Sequence, residues 1–204
     1  LSKEVCLNPD FTVAEILEHV KNSEIDVEYK LDVLVERLAM LKNKQISDPS
    51  LGDDIVTILS VMRELLKQTK NNVGMNRPVW VKVIREYFIL RHFDEVIKVS
   101  QEWKEWFQGL NWRSWDVSKH YGKLEMLLLA NEFLSYSGIT KLGMNYIAEG
   151  LEDLKMAYEF QQEEWQMNEG VTTNNFWYYT KFAINDLFGA FSSGALVNSL
   201  KDEF

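Results

Sequence analysis

Turn-forming residues are scarce in this chain, and this scarcity is the feature that most limits the folds open to it. Its 204 residues include only three prolines and ten glycines. A sheet-rich fold of this length needs many tight turns, which proline and glycine commonly supply. The composition therefore favours long helices with few breaks. The chain is long enough to bury a substantial core, because a domain near this size hides about 70% of its unfolded surface.

Apolar side chains recur at the spacing of one helix face. Within residues 26–44, Leu31, Leu34, Leu38 and Leu41 keep intervals of three and four residues, whereas a strand alternates at every second residue. Similar stripes occur along most of the chain. They predict an all-α fold, a multi-helix bundle or array of about seven to eight helices with short loops. A fold of paired helical repeats stays open as an alternative, although no repeated consensus is visible.

Local signals predict where several helices begin. Thr12 and Glu15 have the spacing of a capping box, in which the side chain of each residue binds the backbone N–H of the other. Asp53 or Asp54 is suited to cap a third helix, and Pro78 to occupy the first turn of a fourth. We therefore expect helices to start at or next to these residues.

The later helix boundaries are predicted from Gly, Ser, Thr and Asn positions. One helix is expected to end at residues 137–138, a long one to cover 140–167, and a last one to run from 172 or 173 to about 200. The long helix carries acidic residues whose positions wrap partly around it, so we expect a solvated face rather than a cation site. These acidic residues are Glu149, Glu152, Asp153, Glu159, Glu163 and Glu164.

Aromatic composition divides the chain near Pro78. Residues 1–77 contain no aromatic residue besides Phe11 and Tyr29, whereas every tryptophan lies beyond Pro78. We therefore predict an aliphatic three-helix segment over 1–77 and an aromatic-rich helical segment over 78–204. The two segments are either separate domains or parts of one continuous domain.

The chain is acidic, with 22 Lys and Arg against 31 Asp and Glu and a formal net charge of -9. Proteins bind nucleic acids and anionic membranes chiefly through clustered Lys and Arg. Here the basic residues are scattered singly among acidic ones, which argues against both kinds of partner. The acidity favours solubility and would also suit a basic protein partner.

Several features favour a soluble, intracellular protein. Cys6 is the only cysteine, so no internal disulfide can form. No signal peptide is visible, and the most apolar run, residues 187–197, is shorter than the about 20 residues that cross a bilayer. The final residues 201–204, Lys-Asp-Glu-Phe, are similar to an ER-retention tail except for the terminal Phe, which leaves the ER lumen as an alternative.

No constellation of catalytic or metal-binding residues stands out. His19, His92 and His120 are isolated in the sequence, and neither a zinc signature nor a Glu-x-x-His pair accompanies them. Asp116 lies one helical turn before His120 and could orient its imidazole, but no nucleophile motif joins the pair. We therefore expect no metal and no cofactor, and we expect catalysis only if an active site is dispersed around Asp116 and His120.

The most distinctive functional signal is a surplus of aromatic residues in the C-terminal segment. Neighbouring aromatic residues on a helix point about 100° apart, so they cannot all face one core. Trp and Tyr suit interfaces because their polar tips stay hydrogen-bonded while their rings are buried. Packing of most of these rings in the core is the alternative. The candidate binding residues are Trp103, Trp106, Trp112, Trp115, Trp177, Tyr178 and Tyr179.

These observations favour a non-catalytic interaction module, such as an adaptor, inhibitor or assembly subunit. It would bind a protein partner, or a second copy of itself, through the aromatic-rich segment. The alternative is a helical carrier that holds a lipid or small hydrophobic ligand in an apolar cavity lined by Trp and Phe.

Overall fold

The fold is that of a computed structural model, which describes Glu4 and residues 7–69, 73–114, 120–167 and 175–203. Within this part of the chain, nine α-helices and two short 3-10 helices are present, and no strand is found. The predicted all-α fold is therefore confirmed. The chain divides into two compact units, Leu1–Val83 and Ile84–Phe204, which are described separately.

In the first unit, the described residues include three complete helices and the beginning of a fourth. Their bounds are α1 (Val13–Asn22), α2 (Val27–Gln45), α3 (Gly52–Gln68) and α4 (Val73–Ile89), and a 3-10 turn at Pro49–Leu51 precedes α3. Their apolar stripes are buried against one another. The core of α1, α2 and α3 is formed by Ile16, Val20, Leu31, Val33, Leu34, Leu38, Ile55, Ile58, Leu59, Met62 and Leu66.

The predicted capping box at the start of α1 is confirmed. The Thr12 hydroxyl accepts a hydrogen bond from the Glu15 backbone N–H at 3.2 Å, and the Thr12 N–H donates to the Glu15 carboxylate at 2.8 Å. The chain before α1 is held by Arg37 of α2, which donates to the carbonyl oxygens of Asn8 at 3.0 Å and Phe11 at 2.7 Å. The buried Arg37 guanidinium thereby satisfies backbone oxygens that no helix uses.

The start of α3 differs from the prediction. The residue before its first turn is Leu51, and it makes no side-chain capping bond, so a cap at Asp53 or Asp54 is wrong. The reason is that Asp48 caps the preceding 3-10 turn, with its carboxylate accepting from the Ser50 N–H at 3.1 Å, and this turn leads directly into α3. Asp53 and Asp54 lie in the first turn instead, where carboxylates interact favourably with the helix dipole.

The start of α4 also differs. This helix begins at Val73, so Pro78 lies in its interior and not in its first turn. An internal proline removes a backbone donor and costs a helix about 3 kcal/mol. Burial compensates for that cost, since Trp80, Ile84 and Phe88 on the following turns are fully buried.

The second unit is organised around a single long helix. Its elements are α5 (Phe93–Gly109), a 3-10 turn (Trp112–Ser114), α6 (His120–Gly143), α7 (Ile147–Met167), α8 (Asn175–Phe188) and α9 (Ala190–Glu203), together with the end of α4. Helix α6 contacts α5, α7 and α8. Between Met126 and Thr140 it is buried on nearly every side, which makes it the centre of this unit.

The predicted helix end at residues 137–138 is wrong, because α6 continues through it to Gly143. Ser137 and Gly138 serve packing instead. Ser137 is fully buried and donates a hydrogen bond to Asp153 of α7 at 2.5 Å. A Cβ atom on Gly138 would stand 2.9 Å from the Gly150 carbonyl oxygen, so the two backbones cross in contact. The break falls instead at residues 144–146, where Asn145 has a positive φ of 67°.

The predicted single helix from 172 or 173 to about 200 is also wrong in one respect. Gly189 divides it into α8 and α9 with a φ of 83°. Glycine adopts this conformation without the steric cost that a Cβ atom would add. Residues 190–203 therefore form a separate helix, α9.

An unexpected polar network lies inside the second unit. Asp153, which is only 1% exposed, accepts hydrogen bonds from Lys104 at 2.5 Å, Lys141 at 2.7 Å and Ser137 at 2.5 Å. Ser100 extends the network by donating to the Ser137 hydroxyl at 2.6 Å. The network joins α5, α6 and α7, and the prediction of a solvated position is wrong for Asp153.

A second polar network joins α6, α7 and α8. The Gln161 amide donates to Glu164 at 2.8 Å, and its carbonyl oxygen accepts from the Phe176 N–H at 3.0 Å. Asn131 of α6 donates to the Ala157 carbonyl oxygen at 3.2 Å. Glu164 is 5% exposed, so the predicted solvated face is wrong for this residue too.

None of the helices in the described ranges combines the length and apolar character that crossing a membrane requires.

Candidate protein-binding surface

Two of the predicted binding residues form part of the aromatic core. Trp103 stacks on Phe107 at 4.8 Å and on Phe133 at 4.7 Å between ring centroids, and Trp112 lies 5.6 Å from Phe107. Phe160 of α7 closes this cluster edge-on to Phe107 at 5.7 Å. Trp103 is 1% exposed and Trp112 is 3% exposed, so neither offers its ring to a partner. We therefore leave both outside the candidate surface.

The other predicted tryptophans occupy different environments. Trp106 and Trp177 are partly exposed, whereas Trp115 lies outside the described residues. The ammonium of Lys201 stands 5.3 Å from the centre of a Trp177 ring, which links α9 to α8 through a cation–π contact. Trp177 thus has a structural role in the second unit.

Helix α8 exposes large aromatic rings on one side. Tyr178 is 68% exposed and Phe182 is 49% exposed, and their four-residue spacing places them on the same face of the helix. Phe176, two residues before Tyr178, is fully buried, in line with the divergence expected of neighbouring aromatic residues. Tyr179 is partly exposed and its ring lies 5.3 Å from that of Tyr178. We call Tyr178, Tyr179 and Phe182 the aromatic face.

Buried aromatic rings of α6 and α4 pack beneath the aromatic face. The ring of Tyr136 from α6 is 6.4 Å from Phe182 and 5.3 Å from Phe88 of α4, edge-on to both. Tyr136 is 2% exposed and Phe88 is fully buried. Close packing of this kind limits ring movement, so the exposed rings are presented in a defined arrangement.

Arg85 of α4 borders the aromatic face, and residues of α6 bind its side chain from the buried side. Its guanidinium pairs with the Glu132 carboxylate and is hydrogen-bonded to the Tyr136 hydroxyl. The Arg85 side chain is 42% exposed, whereas Glu132 is 12% exposed. Burial opposes the charge of Arg85, but the attraction of Glu132 and the bond to Tyr136 outweigh burial and raise the pKa of the guanidinium. Arg85 is therefore a charged group with a fixed orientation at the surface.

A second arginine borders the same face. Arg91 donates to the Asp186 carboxylate at 2.9 Å and to the Asp186 carbonyl oxygen at 3.1 Å, so both ends of its guanidinium are used. Its side chain is 49% exposed and lies 6.0 Å from the Phe93 ring centre. Arg91 has a positive φ of 63°, an uncommon conformation for a residue other than glycine. The end of α4 and the end of α8 are joined through this side chain.

Two tyrosines at this surface, Tyr136 and Tyr179, have raised pKa values. Burial raises the pKa of the Tyr136 phenol, and the opposing attraction of Arg85 does not cancel the effect. Burial, reinforced by the nearby Glu132 carboxylate, raises the pKa of Tyr179 to about 12. Both phenols therefore remain neutral hydrogen-bonding groups at neutral pH.

Replacing Tyr179 with phenylalanine is expected to flatten the loss of stability at alkaline pH. In the unfolded chain a tyrosine ionises near pH ~10, while in the folded protein Tyr179 ionises at about 12. The contribution of this residue is complete below pH ~10 and is lost as the pH rises towards 12, because the folded state binds the proton more tightly. The effect should be on the order of 1 kcal/mol, since solvent screens the partly exposed ring.

Urea unfolding at pH ~9 and pH ~11 measures this difference. Tyr146→Phe, at a 49% exposed position in the turn between α6 and α7, is the matched control and should behave like the wild type. Equal alkaline losses in the wild type and in Tyr179→Phe would contradict the prediction.

The first unit offers a groove of a different kind. It has a volume of about 640 Å³ and lies between the C-terminal parts of α1 and α3, beside the start of α2. Leu17, Val20, Val61 and Leu65 provide its apolar lining, and charged side chains such as Lys30 border it. The volume suits a small ligand. Its lining is aliphatic, however, and not the Trp and Phe lining that the carrier hypothesis predicts.

The chemical alternatives receive no support from the described residues. In that part of the chain, no three His, Cys, Asp or Glu side chains come together as metal ligands would. Asp116 and the side chain of His120 lie outside it, so the proposed acid–base pair stays a prediction.

The aromatic face and the predicted binding residues overlap only in part. Tyr178 and Tyr179 are among the predicted binding residues, and the spacing between Tyr178 and Phe182 could have identified Phe182 as well. Arg85 and Arg91 could not be found this way, because their place at this surface depends on contacts with Glu132 and with residue 186, which are distant in sequence.

Comparison with protein-family models, curated proteins and solved structures gives no match for this chain.

Proposed function

We propose that this chain is a non-catalytic interaction module that binds another protein through the aromatic face. The observation that carries the proposal is the exposure of Tyr178 at 68% and Phe182 at 49% on one side of α8. Exposed rings that lie next to one another form a continuous apolar patch, unlike scattered surface residues. Such patches commonly mark interaction sites. Tyrosine can lose water from its ring while its hydroxyl keeps a hydrogen bond.

The surroundings of the two rings support this reading. Residues that contribute most to protein binding are enriched in Tyr, Trp and Arg and lie on well-packed surfaces. Here Arg85 and Arg91 flank the aromatic face, and buried Tyr136 lies beneath it. Ile89, 49% exposed, follows Arg85 by one helical turn and adds apolar area at the edge. A stable interface needs about 800 Å² from each partner, so the partner would cover these residues together.

The double variant Tyr178→Ala/Phe182→Ala is expected to lose binding of the partner by at least about tenfold, since both rings leave the interface. The matched control is Tyr146→Ala/Ile147→Ala, which removes two side chains that are 49% and 48% exposed at the turn between α6 and α7. Proteins retained by the immobilised wild type and by the control, but not by the first variant, are compared by quantitative mass spectrometry. Light scattering after size exclusion tests whether the partner is a second copy.

Unfolding measurements should show both variants within about 1 kcal/mol of the wild type, because the substituted residues are surface-exposed. Equal retention of the same proteins by all three chains would contradict the proposal. A small hydrophobic molecule that co-purifies with the protein, detected by native mass spectrometry, would instead favour the carrier function and direct attention to the groove of the first unit.

A further inference from the structure

We infer that the partner segment at the aromatic face is proline-rich and extended, and that its backbone carbonyl oxygens accept hydrogen bonds from the Tyr178 and Tyr179 hydroxyls. This inference rests on the proposed function and adds the conformation and chemistry of the partner. The proline rings would pack on the exposed rings of Tyr178 and Phe182. A segment of this kind adopts the polyproline II conformation, in which the backbone makes no internal hydrogen bonds.

Two tyrosine hydroxyls of the aromatic face are available to a partner. The Tyr178 and Tyr179 rings lie edge to face, with their centroids 5.3 Å apart. Within the described ranges neither hydroxyl has a hydrogen-bond partner, whereas the hydroxyl of the buried Tyr136 is bonded to Arg85. Tyr178 is 68% exposed and Tyr179 is partly exposed. A partner that covers these rings therefore takes water away from two phenols and must replace the hydrogen bonds that water makes.

The arginines that border the aromatic face are already compensated. Arg85 pairs with the Glu132 carboxylate. Arg91 pairs with the carboxylate of Asp186 at 2.9 Å. Because each cation has its own acid, these four side chains together carry no net charge. A segment that offers uncharged backbone acceptors matches such a border, whereas a strongly acidic or basic segment gains no counter-charge from it.

The need for free acceptors argues against a helix or a strand as the partner segment. In an α-helix the backbone carbonyl oxygens accept from N–H groups of the same helix, except at its C-terminus. An apolar helix face laid on Tyr178 and Tyr179 would cover their hydroxyls without accepting from them, and an unpaired buried hydroxyl costs free energy. Addition of a β-strand requires an open sheet edge, and the described part of the chain contains no strand.

A proline-rich segment supplies both the acceptors and the apolar area that this surface requires. Its carbonyl oxygens are free to accept, because the polyproline II backbone has no internal hydrogen bonds. Proline has no N–H, so the segment needs few acceptors in return. Its rings are compact and apolar, and segments of this kind commonly bind at aromatic-lined sites. Because the conformation is largely formed before binding, little backbone entropy is lost.

Peptide display compares the two forms of partner segment directly. One library contains proline-rich peptides of about ten residues, or roughly 31 Å in the polyproline II conformation. The other contains amphipathic helices of about 15 residues, or roughly 22 Å, with the same number of apolar residues. Selection on the wild-type protein is expected to retain proline-rich peptides in preference to helical ones. Added salt should change the affinity of the selected peptide by less than about twofold, since no net charge is recognised.

Variants that remove a hydroxyl and keep the ring test the hydrogen bonds. Tyr178→Phe and Tyr179→Phe should each weaken binding of the selected proline-rich peptide by about fivefold, the loss typical of one hydrogen bond. Tyr146→Phe, at a 49% exposed position in the turn between α6 and α7, is the matched control and should leave the affinity unchanged. Fluorescence anisotropy at neutral pH gives the dissociation constants, and urea unfolding checks that each variant is folded.

The possible outcomes separate this inference from the proposed function. Selection of helical peptides that need Tyr178 and Phe182 would overturn the inference and support the proposed function. Proline-rich peptides that bind Tyr178→Phe and Tyr179→Phe as tightly as the wild type would also overturn the inference. Peptides that bind equally well to Tyr178→Ala/Phe182→Ala would contradict the proposed function itself. If neither library is retained, although the natural partner depends on the aromatic face, the inference is wrong and the proposed function stands.

Discussion

Replacing Asp153 with alanine is expected to destabilise the second unit by about 3–5 kcal/mol, the cost typical of removing one partner from a buried ion pair. Asp153 is 1% exposed and receives hydrogen bonds from Lys104, Lys141 and Ser137. Without the carboxylate, the ammonium of Lys141, whose side chain is only 12% exposed, would lose its counter-charge in a place that water barely reaches. The buried Ser137 hydroxyl would lose its acceptor as well.

Denaturant unfolding, followed by the fluorescence of the tryptophans in the second unit, measures this effect. Glu152→Ala is the control, because it removes an exposed carboxylate from the same turn of α7 and should change stability by less than about 0.5 kcal/mol. Asp153→Asn should fall between the two, since the amide keeps an acceptor oxygen but not the charge. A loss of less than about 1 kcal/mol in Asp153→Ala would show that the lysines reach solvent at little cost.

Replacing Gly138 with valine is expected to cost about 3 kcal/mol, at the upper end of typical overpacking penalties. A Cβ atom at this position would stand 2.6 Å from Cγ of Leu154 and 2.9 Å from the carbonyl oxygen of Gly150. The leucine could rotate, but the backbone oxygen can yield only if α6 and α7 separate. The contact is reciprocal, because a Cβ atom on Gly150 would stand 2.9 Å from the Gly138 oxygen.

Gly109→Ala is the control for this experiment. Apart from its chain neighbours and the backbone of its own helix, no atom lies within 4 Å of the Cβ position at Gly109, the last residue of α5. Alanine there should leave stability unchanged or raise it by up to about 1 kcal/mol through its better helix propensity. Gly138→Ala should be intermediate, because the same gain in propensity partly offsets the clash. If Gly138→Val unfolds at the same denaturant concentration as the wild type, the close crossing of α6 and α7 is incorrect.

These two positions matter for the proposed surface as well as for stability. Helix α6 carries Glu132 and Tyr136, which orient Arg85 and support Phe182. Ser137 and Gly138 lie on the same helix, within two turns of Glu132 and Tyr136, and their contacts with α7 fix its position. The aromatic face is therefore built on the most closely packed helix of the second unit, which allows exposed rings to keep a defined arrangement.

Helical content and many helix positions were accessible from the sequence because their signals are local. The stripe of leucines between Leu31 and Leu41 predicts α2, and the spacing of Thr12 and Glu15 predicts the start of α1. Both depend on residues within a few positions of one another. The aromatic surplus likewise predicts that some rings near Tyr178 must diverge from the core, since helix geometry alone requires it.

Only the tertiary structure decided what the small and polar residues do. Ser137 and Gly138 have the composition of a helix end, and Asp153 that of a solvated acid, yet all three lie between α6 and its neighbours. A small or polar residue can be stable either exposed to water or buried against a suitable partner. The free-energy difference between these two states depends on which partners folding brings close. The same reason explains why Trp103 is buried while Tyr178 is exposed: a ring's environment depends on which helices pack around it, and this information is not local.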